Sequence, residues 1–231
     1  MTNENAESTA SGQDGGAVLD PIELRVLAVL AEKEALTPDN YPMSLNAIVN
    51  GCNQLSSRDP VMQLGEDTVL DTLQRLTERR LVNAISQAGA RVVKYEHRMR
   101  IKWTLEQDKL AVLTVLMLRG LQTAGEIRTR TGRLHEFKTV GDVETALQFL
   151  IDKYPPIVAK LERAPGTKES RYGQLLAGEI TVVAGAEQTS SAASGQTQGG
   201  RIAQLEQEVA ALRGEMEDLK NQFEAFRQQF Q

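Results

Sequence analysis

One cysteine, Cys52, and two histidines, His97 and His135, are all the sulfur nucleophile and imidazole this chain carries. Cys52 shares an apolar helical stripe with Leu45, Ile48 and Val49, so it reads as a small buried hydrophobe rather than a nucleophile. A lone cysteine excludes an internal disulfide, and two histidines beside it are too few ligands for a structural zinc site. Neither histidine has a serine or cysteine partner in a recognisable motif, and there is no phosphate-binding glycine loop or nucleophile elbow. The residues therefore predict a protein that is not an enzyme, with no catalytic residues, no metal and no cofactor.

Binding chemistry is better represented. Arg91, Lys94, Arg98, Arg100 and Lys102 form one basic cluster, and Arg128, Arg130 and Arg133 form another. Such clusters hold phosphates, but they also protect a solvated strand edge from aggregation. Asn46, Asn50 and Asn53 make a polar helical stripe, continued by Gln54 and Arg58. Asparagine is a poor helix former, so this face reads either as a docking surface for a partner or as a set of ties for the loop that follows.

These residues need elements to position them. Leu24-Arg25-Val26-Leu27-Ala28-Val29-Leu30 reads against Leu110-Ala111-Val112-Leu113-Thr114-Val115-Leu116 with five identical positions in seven, and Val69 with Leu73-Gln74-Arg75-Leu76 reads against Val143 with Leu147-Gln148-Phe149-Leu150. A small domain has been duplicated. In the first copy, helices are expected at 21–34, with Asp20 as cap and Pro21 in the first turn, then after the Ser44 cap, and at 66–79. Alternating residues at 81–86 and 90–95, joined through Gln87-Ala88-Gly89, predict a β-hairpin. The second copy repeats the plan with helices near 106–119, 124–131 and 140–154 and strands at 157–163 and 170–176. Three helices followed by a hairpin is the winged-helix variant of the helix-turn-helix domain. The expected fold is mainly α with small β-hairpins, an α+β chain of two tandem winged-helix domains, 18–104 and 105–178.

Beyond them, 179–200 is rich in Gly, Ala, Ser, Thr and Gln and reads as a flexible linker, as 1–17 reads as a disordered tail. Residues 201–231 carry a heptad stripe with Ile202, Val209, Met216, Phe223 and Phe230 at a and Leu205, Leu212, Leu219 and Phe226 at d. The facing g and e positions pair Arg201 with Glu206, Glu208 with Arg213 and Glu215 with Lys220. This pattern predicts a parallel two-stranded coiled coil and hence a homodimer; the competing expectation is a helix folded back on its own core.

The chain has 26 Lys plus Arg against 31 Asp plus Glu, a net charge of -5. The acidity lies in the ends, since 17–104 carries 11 of each sign and 105–178 carries 11 basic and 9 acidic residues. The longest apolar run, 110–118, is interrupted by Thr114 and is about half the ~20 residues a membrane-spanning helix needs. The start has no basic, apolar leader. A cytoplasmic protein without a membrane partner is expected.

Longer strings carry a resemblance. Tyr41-Pro42-Met43-Ser44-Leu45-Asn46-Ala47, Cys52-Asn53-Gln54, Arg58-Asp59-Pro60-Val61 and Arg91-Val92-Val93-Lys94-Tyr95-Glu96-His97-Arg98 resemble the YceH family of bacterial proteins. So do Leu118-Arg119-Gly120-Leu121-Gln122-Thr123 and Arg133-Leu134-His135-Glu136-Phe137. The resemblance spans about 18–178 and implies two winged-helix domains in a bacterial cytoplasmic protein of unknown function, with no catalytic residues to carry over.

Two functions remain open from the sequence. One is a dimeric regulator or accessory factor that contacts DNA through Arg91, Lys94, Arg98, Arg100, Arg128, Arg130 and Arg133. The other is a protein-interaction scaffold using the face of Asn46, Asn50, Asn53, Gln54 and Arg58. Glu66, Asp67 and Asp71 on the first expected reading helix, and Asp142 and Glu144 on the second, would repel a phosphate backbone and favour the scaffold.

Overall fold

In a computed structural model, the structure describes residues 18–86, 92–163 and 169–180. The expected tail, most of the linker, the two hairpin turns and the whole heptad segment lie outside the described residues, as does Arg91.

Among the described residues there are seven α-helices and two small antiparallel sheets, an α+β arrangement. Helix α1 (Pro21–Leu36) begins as its sequence dictates. Pro21 occupies the first turn, and Asp20 and Glu23 exchange hydrogen bonds with each other's backbone N–H in a capping box. A 3-10 turn (Pro38–Asn40) leads to β1 (Met43–Ser44) and α2 (Leu45–Cys52), where Ser44 Oγ accepts from the Ala47 N–H. Helix α3 (Glu66–Glu78) turns Val69, Thr72, Leu73 and Leu76 inward. Strands β2 (Val82–Ile85) and β3 (Lys94–His97) pair from Val82 opposite His97 to Ile85 opposite Lys94, and β1 adds to the other side of β3.

After α4 (Met99–Trp103) the same order returns: α5 (Gln107–Arg119), α6 (Ala124–Thr131), α7 (Val140–Ile151), then β4 (Val158–Lys160) paired with β5 (Tyr172–Gln174). Capping boxes of Thr123 with Glu126 and Thr139 with Asp142 start α6 and α7. Gly120, at φ +70°, stops α5, since a side chain there would be strained.

The duplicated apolar strings form the centre. α1 is buried continuously from Glu23 to Glu32 and α5 from Leu110 to Leu118, and the two helices pack on one another. The spacing of Leu24, Leu27, Val29, Leu30 and Ala31 is that of a core-facing amphipathic α1. The helix is buried all round because α2 and α3 cover one side and α5 another, so a single core runs from Leu19 to Tyr172 through both copies. Each fully buried Leu in that core contributes about 1.5–3 kcal/mol.

The first hairpin corrects an expected strand, which is Lys94–His97 rather than 90–95. The inward residues of β3 are Tyr95 and His97, while Val92 and Val93 are exposed. Apolar type pointed to 90–95, but β3 is anchored by the polar contacts of His97, which a hydrophobic pattern does not register. The short β1 and α4 were not anticipated either, being too short for a periodicity.

Candidate functional site

Three of the residues singled out by type, Asn50, Gln54 and Lys94, line one groove of about 450 Å³. Lys33 and Thr37 enter it from the end of α1, and Asn40 from the 3-10 turn. Met43 and Ser44 come from β1, and Ala47 and Gly51 from α2. Gly51 is what lets α2 lie so close to α1, because a Cβ there would sit 2.5 Å from Val29 Cγ1.

The groove has a one-sided charge. Lys33 and Lys94 line it, and among the described residues no Asp or Glu does. Lys33 Nζ is 3.5 Å from Glu32 Oε2, but that carboxylate is already engaged by Arg58 Nη2 at 2.6 Å. Asn50 donates through Nδ2 to Asn46 Oδ1 at 2.8 Å, leaving its own Oδ1 as an acceptor. Gln54 Oε1 accepts from Arg58 Nη2 at 2.8 Å, which leaves the Gln54 NH2 group as donor.

Arg58 and Asn53 do not belong to an outward face. The Arg58 side chain is 0% exposed, gripping Glu32 with both ends of its guanidinium (3.1 and 2.6 Å) and donating from Nε to the Gly51 carbonyl at 3.1 Å. A buried guanidinium needs such saturation to offset its desolvation. Asn53 closes the following loop, donating to the Leu64 carbonyl at 2.9 Å and accepting from the Leu64 N–H at 2.7 Å. Those two residues tie the loop, and Asn46, Asn50 and Gln54 remain at the surface.

The basic clusters divide in the same way. Arg128 donates to the carbonyls of Phe137 and Lys138, Arg130 lies 3.8 Å from Glu126, and Arg100 binds Glu34 and Gln107. Lys94, Arg98 and Arg133 are exposed and have no ion pair among the described residues.

Several polar residues were missed by the sequence. Arg25, 1% exposed, donates to the carbonyls of Cys52 at 3.0 Å and Pro60 at 2.6 Å, while its Nε has no partner among the described residues. Burial and then the nearby Arg58 lower its pKa. A charge inside an otherwise apolar heptapeptide was the available signal. Arg119 is half-buried near Arg130 and Arg58, and desolvation with those like charges lowers its pKa too. Tyr41 and Glu34, also missed, gather around His97. His97 Nδ1 accepts from the Met99 N–H at 3.2 Å, so Nε2 carries the proton and donates to Glu34 at 3.2 Å. The Tyr41 hydroxyl accepts from the His97 backbone N–H at 2.7 Å, and burial raises its pKa. Glu34, held by His97 and then by Arg100, is lowered to about 2. Through Arg100 and Gln107, which donates to the Leu134 carbonyl at 2.9 Å, this network ties α1 to the second copy.

Cys52 is fully buried and desolvation pushes its thiol up to about 12, so it carries no thiolate near neutral pH. His135 packs edge-on against Phe137 at 4.6 Å. Among the described residues no group of His, Cys, Asp and Glu is placed to hold a metal ion, and no helix is long and apolar enough to cross a membrane.

Together these describe a small α+β protein whose repeated helices flank a groove carrying Lys33, Asn50, Gln54 and Lys94. The chain belongs to the family described as "Protein of unknown function, DUF480", whose model matches residues 19–167. It is 64% identical over 233 residues to a UPF0502 protein of Janthinobacterium sp. (strain Marseille), with 100% of both chains covered. A UPF0502 protein of Herminiimonas arsenicoxydans is 60% identical over 237 residues, again with 100% of each covered. One from Vibrio parahaemolyticus is 48% identical over 214 residues, covering 90% of this chain and 97% of that one. These matches bear out the resemblance to the YceH family.

Proposed function

We propose that this protein is a non-enzymatic adaptor of two tandem winged-helix domains, 18–104 and 105–178, that binds another protein. In this reading the coiled coil of 201–231 pairs two copies in the cytoplasm, and linked weak sites on a dimer gain effective affinity. The observation that carries it is the charge on the two would-be reading helices. α3 exposes Glu66, Asp67, Asp71 and Glu78, and its exposed cation Arg75 is paired with Asp20 at 2.9 Å. α7 exposes Asp142 and Glu144 and contains no Lys or Arg. In a winged-helix domain that reads DNA, this helix enters the major groove beside phosphates, where such carboxylates are repelled. The internal use of Arg58, Arg100 and Arg128 supports the same conclusion. So does the buried Cys52 for the absence of an enzyme.

A second reading rests on Lys94 and Arg98, exposed on the first hairpin and beyond it, which would touch DNA as a basic wing does. Fluorescence anisotropy of a labelled random duplex against the full-length protein separates the two. The adaptor reading expects no binding at micromolar protein even at low salt. Binding that falls steeply with salt would overturn it, because such a slope counts released counterions.

A further inference from the structure

We infer that the groove between α1, β1 and α2 binds an extended, carboxylate-rich segment of a partner protein, with Lys33 and Lys94 taking its charge. The inference rests on the adaptor reading and names the chemistry of its partner. Among the described residues that line the groove, the charged side chains are Lys33 and Lys94, both positive, and the Glu32 carboxylate nearest Lys33 is held by Arg58 at 2.6 Å. An anionic ligand supplies the missing counter-charge. It meets Lys94 at an exposed strand position and Lys33 on a helix end, where the ion pair to Glu32 is shared with Arg58.

Amide orientation makes the ligand a peptide rather than a bare ion. The buried Glu32 and Arg58 pair fixes Gln54 through its oxygen, so the groove wall presents an N–H donor that does not have to choose. Asn50, committed through its nitrogen to Asn46, presents an acceptor in the same wall. A donor and an acceptor side by side match the alternating C=O and N–H of an extended chain, while the lysines match carboxylate side chains. β1, which contributes Met43 and Ser44, is the outer strand of its sheet, the kind of edge beside which extended peptides lie. Among the described residues the lining holds no arginine, the residue whose planar fork suits phosphate. A duplex is too broad a convex surface for a cleft of about 450 Å³.

The test is anisotropy of a fluorescein-labelled peptide of alternating Glu and Ser, about twelve residues long, titrated with full-length protein at low salt. A Gln and Ser peptide of equal length and a single-stranded oligothymidylate of equal charge serve as competitors. The acidic peptide should bind in the micromolar range. Lys94→Glu, at an exposed position, should weaken it at least fivefold without changing the thermal midpoint. Gln54→Leu should weaken it about threefold, because it removes the oriented donor and leaves the charge. The neutral peptide should fail to compete. Absence of binding at 100 µM protein, binding unaffected by Lys94→Glu, or equal competition by the oligothymidylate would each overturn the inference, the last by showing charge attraction without peptide recognition. The adaptor reading is tested separately by the duplex titration, so a silent peptide with a silent duplex removes the groove proposal alone.

Discussion

The two copies solve one problem in different ways: how to hold the chain between their second and third helices. In the first copy, residues 53–65 are tied from within, by Arg25 to the Pro60 carbonyl, by Asn53 to Leu64, and by Arg58 to Glu32 and Gly51. In the second, the shorter 132–139 is held by half-buried Gln107 on the Leu134 carbonyl and, from the surface, by Arg128 on the carbonyls of Phe137 and Lys138. A long connection exposes more backbone carbonyls than its own turns can satisfy, and side-chain donors must reach them. Where those donors are buried, they hold the loop as a rigid wall. Where they are exposed, the tie is replaceable by water.

The largest test of this contrast is Arg58→Met. It strands Glu32 in the interior and should cost about 3–5 kcal/mol in urea unfolding; a loss under ~1 kcal/mol would show that the first loop does not depend on its buried ties. Next is acid. Glu34 is lowered to about 2 by its hydrogen bond from His97 and by Arg100, so its contribution is complete above about pH 4.5 and is lost as the pH falls from there through about 2. With its partial exposure allowed for, about 2 kcal/mol should disappear across that window, and Glu34→Gln should remove that part of the slope. An unchanged slope in Glu34→Gln would place the acid sensitivity elsewhere.

Two glycines give a smaller, opposed pair. Gly51→Ala drives a Cβ to 2.5 Å from Val29 Cγ1 and should cost about 1–3 kcal/mol by overpacking. Gly125→Ala, whose Cβ would meet nothing closer than 4.0 Å, should be neutral or stabilise by up to ~1 kcal/mol through helix propensity. Equal effects in thermal melts would erase the distinction between a close helix contact in the first copy and an open one in the second. Last, Arg128→Ala should cost no more than about 1 kcal/mol, because water replaces the guanidinium at exposed carbonyls. A loss comparable with Arg58→Met would break the comparison.

The legibility of each part follows its physics. The first helix starts were readable because caps are local: Asp20 and Ser44 each satisfy N–H groups within three residues, and Thr123 and Thr139, which the sequence did not single out, do the same for α6 and α7. The duplication was readable as repeated letters, although its consequence, α1 packed on α5, was not. Lys94, Asn50 and Gln54 were noticed as members of two separate groups, and the register of Ser44 opposite Lys94 brings those groups to one groove. Arg58 and Asn53 looked like surface residues because polar type alone does not show burial.

By itself the sequence determined the order of helices and hairpins, the caps and the apolar faces, since these depend on neighbours within a few residues. It also determined that Cys52 would be buried, from its place on an apolar stripe. The tertiary structure decided which polar groups are ties and which are free. That choice depends on the distance between residues as far apart as Glu32 and Arg58, or Gln54 and Lys94, and on whether water reaches them once the two central helices have packed. A guanidinium in water and one saturated by a carboxylate and a carbonyl are the same letter, and desolvation separates their roles.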